Sequence, residues 1–147
     1  MKPTILALDL EGTLISNAVS QIPRPGLFPF LEHIRVQFRD LVMFTTVPEP
    51  LMREICGLLV AEGAAPPWFS LLPYAHWEGP TKDLAFVTSD VRQALLLDDH
   101  AAYVHPGQEG HWVEIPLFGA PYADDDVGLE LAKFRINERL ARLSVGK

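Results

Sequence analysis

The chain has 147 residues, 48% of them hydrophobic, and a formal net charge of −7 at pH 7. This share of apolar side chains excludes a disordered polymer and suffices for the core of one domain, which we expect to span residues 1–147. The acidic balance argues against nucleic acid and anionic membrane surfaces as partners, because both are bound through basic surfaces.

Cysteine content and hydropathy bear on the compartment. Cys56 is the single cysteine, so an intrachain disulfide is excluded. The first residues lack the pattern of a signal peptide, and no stretch approaches the roughly 20 apolar residues of a membrane helix. We therefore expect a soluble, cytoplasmic protein.

The first predicted strand ends in acidic residues. The apolar run from Thr4 to Leu8 is typical of a buried strand, and Asp9 and Glu11 follow it. In an extended segment, residues two apart point to the same side, so the two carboxylates should face one spot. They repel each other there unless a cation or a shared proton relieves the charge. The pair therefore predicts a metal site, an acid–base pair, or both.

A helix and a second strand are predicted next. Residues 14–22 form a polar loop, and apolar residues at helical spacing then predict a helix from Pro25 to Phe38. Its inward side chains should be Leu27, Leu31, Ile34 and Phe38. The apolar run 41–44 predicts the second strand, which ends at Thr45.

The second helix and the segment after it are less regular. Thr46 and Glu49 have the spacing of a capping box. The apolar face of the helix should contain Leu51, Ile55, Leu58 and Leu59. Gly63 is expected to follow its end, and the proline- and aromatic-rich residues 64–80 predict an irregular excursion with one or two short strands.

The last third of the chain predicts two more strands and a helix. Residues 94–97 and 112–115 are apolar runs of strand length. The run Asp124–Asp126 precedes the final helix, where the helix dipole favours negative charge. That helix should turn Leu131, Phe134 and Leu140 inward.

Alternation of strands and helices predicts the α/β class, with a parallel sheet in a three-layer Rossmann-like arrangement. In such sheets ligands bind outside the carboxyl ends of the strands. Only the short segments 14–22 and 64–80 remain to cover that edge, so we expect no large cap.

Polar groups follow three of the predicted strands. Asp9 follows the first, Thr45 the second, and the pair Asp98–Asp99 the third, while Lys82 lies in the connection before it. Parallel neighbours bring these groups to one edge of the sheet. Carboxylate oxygens at this density suit Mg²⁺, and the lysine and threonine suit a phosphoryl group, with an aspartate as possible nucleophile.

Four ordered segments resemble the signatures of the haloacid dehalogenase (HAD) superfamily: Asp9–Thr13, Phe44–Thr46, Lys82–Leu84 and Leu97–Asp99. Within that superfamily, Arg24–Leu31 resembles the Arg-Pro-Gly-x-x-x-Phe-Leu helix start of the Nuclear LIM Interactor-interacting factor-like (NIF-like) phosphatases. These enzymes act on the C-terminal domain of RNA polymerase II. The resemblance runs from about Ile5 to Phe134 and implies a HAD-like fold and a phosphatase, with a phosphorylated protein or small molecule as substrate.

The resemblance implies a role for each matching residue. Asp9 would attack phosphorus and form an aspartyl-phosphate. Glu11 would protonate the leaving group and then activate water. Thr45 would bind the phosphoryl oxygens, and Lys82 would neutralise their charge.

The resemblance also implies a Mg²⁺ site formed by Asp9, the backbone carbonyl of Glu11, and the acid pair Asp98–Asp99. The relatives usually read Asp-Asn-Ser where this chain has Asp-Asp-His, which leaves open whether Asp98 or Asp99 is the direct ligand. The following His100 either supports the pair or is an exposed loop residue.

Glu11 departs from the aspartate that is usual at its position. It adds one methylene, and acid–base catalysis depends on reach. Two alternatives to hydrolysis therefore stay open, a catalytically weak binding module and a phosphotransferase with an acceptor other than water.

Four aromatic residues allow two interpretations. They form either a substrate wall or a small satellite core: Trp68, Phe69, Tyr74 and Trp77.

Overall fold

The computed structural model describes residues 2–146, which contain four β-strands and three α-helices. The strands are β1 (Ile5–Leu8), β2 (Asp40–Met43), β3 (Ala94–Asp98) and β4 (Trp112–Glu114). The helices are α1 (Leu27–Gln37), α2 (Glu49–Ala61) and α3 (Gly128–Gly146).

All four strands run parallel, in the order β2-β1-β3-β4. The central strand β1 pairs with β2 on one side and β3 on the other, so Leu8 is level with Met43 and Leu97. Every residue of β1 and β3 is buried, as the continuous apolar runs of central strands require. The predicted α/β class with a parallel sheet is confirmed.

The sheet separates two hydrophobic clusters. On β1, Leu6 and Leu8 belong to the larger one, which also contains the inward side chains of all three helices. Ile5 and Ala7 point to the opposite face and belong to the smaller cluster. The connection between β2 and β3 covers that face with short 3₁₀ turns, such as Leu84–Phe86, rather than with a helix. One of the two layers that cover the sheet is therefore irregular chain.

Helix α1 has the predicted inward face, and its start differs from the prediction. Leu27, Leu31 and Ile34 are buried, and so is Phe38 just past the end. The helix begins at Leu27 and not at Pro25, because Gly26 has a left-handed backbone with φ of 82° that interrupts the helical conformation.

The predicted inward faces of α2 and α3 are partly wrong. Leu51 and Leu58 on α2 are 36% and 46% exposed, and Phe134 on α3 is 64% exposed. The buried stripe of α2 consists of Met52, Ile55, Cys56 and Leu59, and that of α3 includes Leu129, Ala132, Ile136 and Leu140. Both stripes follow the spacing of three and four residues that keeps side chains on one helical face.

Two local predictions also change. Helix α2 starts after Pro48 without a side-chain cap, so the Thr46–Glu49 capping box is not formed. Residues 64–80 contain the 3₁₀ turn Pro67–Leu71 and a single bridge from Tyr74 to Met43 in place of short strands. No helix within residues 2–146 combines the length and the hydropathy needed to cross a membrane.

Candidate active site

The carboxyl ends of β1, β2 and β3 meet at one edge of the sheet. Asp9 comes directly after Leu8, and its amide donates to the carbonyl of Leu97 at 3.1 Å. The amide of Phe44 donates to the carbonyl of Leu8 at 2.8 Å. Thr45, the next residue, therefore lies just past the same edge of the sheet. The predicted convergence of these strand ends is confirmed.

Lys82 connects two of the strand ends through its side chain. Its Nζ atom donates to Asp9 Oδ1 at 2.9 Å and to Asp98 Oδ2 at 2.6 Å, and the lysine is fully buried. The Lys82 amide donates to the carbonyl of Tyr103 at 2.7 Å, which fixes its loop against the segment after β3. The lysine therefore enters the site from the connection between β2 and β3, as the sequence predicted.

Aromatic rings enclose the ammonium group. Lys82 Nζ lies 5.1 Å from the ring centroid of Tyr103 and 6.0 Å from that of Phe44. Trp77 packs edge-on against both rings, with centroid separations of 6.2 Å and 5.5 Å. These rings exclude water, and charge interactions inside the site are stronger for that reason.

Three aspartates form an acidic cluster beside the lysine. Asp9, Asp98 and Asp99 each place one carboxylate oxygen within 4.8 Å of the others. Three carboxylates facing one ammonium leave an excess of negative charge that a divalent cation would balance. Oxygen-only donors of this kind suit a hard cation.

The two adjacent aspartates have different surroundings. Asp98 is buried, and its second oxygen, Oδ1, accepts the amide of His100 at 2.9 Å. Asp99 is half-buried, and its Oδ1 accepts the Thr13 hydroxyl at 3.1 Å. Lys82 and the His100 amide therefore engage both carboxylate oxygens of Asp98. The carboxylate of Asp99 has more lone pairs available to a metal ion. His100 supports the pair through its backbone, while the residue itself is exposed.

Burial controls the protonation of the site. Desolvation raises the pKa of Asp9 well above its ordinary value, although the Lys82 charge opposes the shift. The pKa of Asp98 is raised for the same reason, again against Lys82. Burial also disfavours the charged form of Lys82, but Asp9 and Asp98 outweigh it and the pKa of Lys82 is raised. The lysine is thus a permanent cation at neutral pH.

The turn after β1 contributes a residue to which the sequence had assigned no role. The Thr13 hydroxyl lies 2.8 Å from Asp9 Oδ2 and 3.1 Å from Asp99 Oδ1, so it links the two carboxylates. Gly12 permits this approach: its φ is 76°, and a Cβ at this position would lie 2.9 Å from Asp99 Oδ2. The Gly-Thr pair in the sequence is the signal for this role.

Glu11 lies outside the acidic cluster. Its Oε2 accepts the amide of Ala18 at 2.6 Å, which ties it to the loop 14–22. Strand β1 ends at Leu8, so the alternation of an extended strand does not continue to Glu11. Among the described residues, the carboxylates that surround a common spot are those of Asp9, Asp98 and Asp99, in place of the predicted Asp9–Glu11 pair. A role for the Glu11 backbone carbonyl stays a prediction.

Thr45 is buried at the edge of the site. Its Oγ1 accepts the amide of Val47 at 3.1 Å, and its carbonyl accepts Trp77 Nε1 at 2.9 Å. Because the hydroxyl acts as acceptor in the first bond, its own proton can be donated to a ligand.

Arg24 is a second residue whose role could not be assigned from sequence. It is buried, donates to the carbonyl of Thr13 at 3.1 Å, and forms an ion pair with Asp126 at 2.7 Å. Asp126 also accepts the amide of Gly128 at the start of α3. Hydrogen bonds from Arg24 and Gly128 lower the pKa of Asp126 although desolvation opposes them. Within the predicted capping run, Asp126 therefore also anchors an arginine.

The four aromatic residues of the excursion do not act together. Phe69 belongs to the larger hydrophobic cluster, and Trp68 lies under the guanidinium of Arg35. Tyr74 and Trp77 line a cavity beside Thr45. All four side chains belong to or pack against the hydrophobic clusters, and a substrate wall formed by Tyr74 and Trp77 stays a prediction.

No protein-family model matches the sequence, and no curated protein sequence matches it either.

Proposed function

We propose that the chain is a Mg²⁺-dependent phosphomonoester hydrolase of the HAD superfamily, without a large cap and closest to the NIF-like group. It would act through an aspartyl-phosphate on Asp9. The observation that carries this proposal is the placement of Asp9 at the end of a central strand, where Lys82 and the Thr13 hydroxyl contact its two oxygens. A carboxylate held in this way, beside further acids and a buried cation, suits attack on phosphorus.

The residues present fit a magnesium ion. Three carboxylates lie together with only one ammonium, and Asp99 retains free oxygen valence. Asp9, Asp98 and Asp99 would hold the ion. When bound, Mg²⁺ would neutralise charge on the phosphoryl oxygens and on the acids.

In the first step, a carboxylate oxygen of Asp9 forms a bond to phosphorus while the bond to the leaving oxygen breaks. Glu11, acting as the general acid, gives a proton to the leaving oxygen. Lys82 balances the negative charge of the phosphoryl group, and Thr45 donates its hydroxyl proton to a phosphoryl oxygen. The product of this step is an aspartyl-phosphate and a free alcohol.

In the second step, water attacks phosphorus and the bond to Asp9 breaks. Glu11 takes the proton of the water, which returns it to its starting state and releases inorganic phosphate. Its contact with the Ala18 amide ties this residue to the loop 14–22, so acid–base chemistry and the position of that loop are coupled.

One observation favours a second candidate function. Glu11 lies outside the acidic cluster, and a site without a well-placed acid–base group would bind phosphate and turn over slowly. The chain would then serve as a binding module on the same fold.

Phosphate release tests the proposal. Purified protein with Mg²⁺ should hydrolyse para-nitrophenyl phosphate, and Asp9→Asn should reduce the rate by at least about 10⁴-fold. Asp40→Asn is the matched control, because Asp40 is exposed at the opposite end of β2. Full activity of Asp9→Asn would show that the nucleophile is wrongly assigned. No release from this ester or from a phosphopeptide panel would contradict the proposal.

A further inference from the structure

An open cavity of about 300 Å³ begins at Thr45. A second cavity of about 230 Å³ adjoins it and shares His76, Trp77 and Glu78 with it. Phe86 closes the far side of the second cavity. We call the two together the leaving-group pocket, because Thr45, the proposed phosphoryl-binding residue, is part of the lining of the first cavity.

Trp77 fixes the pocket to the catalytic centre. Its indole nitrogen donates to the Thr45 carbonyl at 2.9 Å, and its ring packs against Phe44 and Tyr103, the two rings that enclose Lys82. A ligand in the pocket would therefore contact a side chain whose position is coupled to the phosphoryl-binding groups.

The aromatic groups of the pocket have few free donors. The Trp77 indole N–H is engaged with Thr45, and the Tyr74 hydroxyl donates to the carbonyl of Val47 at 2.7 Å. The His76 ring packs edge-on against Tyr74, with centroids 5.1 Å apart. The Trp77 and Tyr74 rings consequently offer π surfaces rather than hydrogen-bond donors to a ligand.

The charges at the pocket are acidic. Glu78 is an exposed carboxylate in the lining of both cavities. Glu49 lies just beyond, 3.4 Å from His76 Nε2, but it is paired with Arg53 at 3.0 Å, so Glu78 carries the acidic character of the pocket. Among the described residues, neither cavity has a lysine or arginine in its lining. A second anionic group on the substrate would be repelled here, whereas a cation would meet a carboxylate and π surfaces.

We propose that the leaving-group pocket selects phosphomonoesters whose leaving group carries a positive charge, an ammonium or a guanidinium, close to the phosphorylated oxygen. Glu78 and Trp77 are the specificity-determining residues. The inference rests on the proposed phosphatase function. Two sources share this chemistry, a small amino-alcohol phosphate and a phosphopeptide with basic neighbours.

Matched substrates of opposite charge test the selectivity. Phosphoethanolamine is compared with phosphoglycolate, and a phosphoserine peptide flanked by arginines with one flanked by glutamates, each in the presence of Mg²⁺. We expect the cationic member of at least one pair to have the higher kcat/KM, by about tenfold. A preference confined to the small esters would identify an amino-alcohol phosphate as the substrate. A preference confined to the peptides would identify a phosphopeptide with basic neighbours.

Charge reversal assigns the preference to the pocket. Glu78→Lys should invert the ratio of kcat/KM for the cationic substrate to kcat/KM for the anionic one. Because both values come from the same variant, a general loss of activity does not change the ratio. Glu62→Lys makes the same change of net charge at the carboxyl end of α2, about 20 Å along the helix from Glu49. This variant should leave the ratio unchanged.

Two results would overturn the inference in different ways. Turnover of para-nitrophenyl phosphate without any charge preference, or equal effects of Glu78→Lys and Glu62→Lys, would contradict the selectivity and leave the phosphatase function intact. No turnover of any ester would contradict the phosphatase function and the selectivity together.

Discussion

At the scale of single residues, Lys82 is the most constrained side chain of the site. Its ammonium is fully buried, and the two carboxylates that it contacts are buried as well. A buried charge without a partner costs several kcal/mol, so each member of this triad depends on the others. The site is for this reason preorganised around Asp9 before any ligand binds.

Glu11 is expected to combine acid–base chemistry with loop positioning. Glu11→Gln keeps an oxygen that can accept the Ala18 amide but cannot transfer a proton. We expect kcat to fall by about 10²–10⁴-fold, with the melting temperature unchanged. Glu11→Asp loses the reach to Ala18 and should also lower kcat. Steady-state kinetics of the two variants would contradict this role if Glu11→Asp turned over faster than the wild type.

Gly12 is expected to be needed for the approach of Asp99. In Gly12→Ala the positive φ costs about 1–2 kcal/mol, and the new Cβ would lie 2.7 Å from Leu117 Cδ1 and 2.9 Å from Asp99 Oδ2. We expect the affinity for Mg²⁺, measured by calorimetry, to fall by about 10–100-fold.

Gly63→Ala is the matched control for this substitution. Gly63 has a similar φ of 78°, with open space around the added Cβ. It should incur the cost of the positive φ alone, and so lose less stability than Gly12→Ala and keep its Mg²⁺ affinity. An equal loss of affinity in both variants would show that strain alone, and not the contact with Asp99, is responsible.

The sequence identified most site residues because they follow strands. Asp9, Thr45 and Asp98 could be predicted together, since the carboxyl ends of parallel strands converge. Thr13 and Arg24 could not, because their contacts depend on a tight turn and on long-range packing that no periodicity encodes. Glu11 was misplaced because strand geometry was extended three residues past the end of β1.

At the scale of elements, Arg24 ties the turn after β1 to the start of α3. It donates to the Thr13 carbonyl and pairs with Asp126 while fully buried. We expect Arg24→Met to lower the free energy of unfolding by about 3–5 kcal/mol, because it leaves a carboxylate and a carbonyl without their partner. Chemical denaturation measures this cost.

Arg39→Met is the control for that experiment. The Arg39–Asp40 ion pair has the same 2.7 Å separation, but its side chains are 66% and 50% exposed. We expect a change of about 0–1 kcal/mol. Similar costs for the two variants would show that the buried pair contributes no more than a surface one.

Helix faces could be predicted only where the apolar pattern is unambiguous. The predicted stripe of α1 was correct, because its members lie three and four residues apart, while Val36 on the same helix is exposed. On α2 and α3 additional apolar residues, such as Leu58 and Phe134, offered alternative stripes. Packing against the sheet decided between them, and that information is not local.

At the scale of the whole molecule, the buried acids should make stability depend on pH and Mg²⁺. Burial raises the pKa of Asp9 and Asp98 above the unfolded value of about 3.9. The two protonated carboxyl groups contribute to the free energy of unfolding in full below that pH. This contribution is lost as the pH rises through the pKa values of the folded protein. Metal-free protein should therefore become less stable as pH increases above about 4.

Mg²⁺ should reverse this loss. At a concentration 100 times its Kd, a bound ion adds about 2.7 kcal/mol, or roughly 5–10 °C of melting temperature for a domain of this size. The increase should grow with pH, and Asp99→Asn should reduce it while Asp40→Asn should not. A thermal shift that is absent, or equal in the two variants, would exclude the three aspartates as the metal site.

The parallel sheet followed from the alternation of strands and helices, but the order of its strands and its covering did not. The sequence predicted three layers, and one of the two faces is covered by the irregular connection that carries Trp77 and Lys82. Proline and aromatic residues in that segment marked it as irregular. Only the packing of these residues shows that the segment completes both the core and the site.

The proposed mechanism requires that Asp9 becomes phosphorylated during turnover. Protein mixed rapidly with a phosphomonoester and Mg²⁺ is quenched in acid and reduced with borohydride, which converts an aspartyl-phosphate to homoserine, and the modified residue is located by mass spectrometry. The account predicts homoserine at position 9 in the wild type and in Glu11→Gln, and none in Asp9→Asn. Phosphate release without any modification of Asp9, or modification at another aspartate, would contradict it.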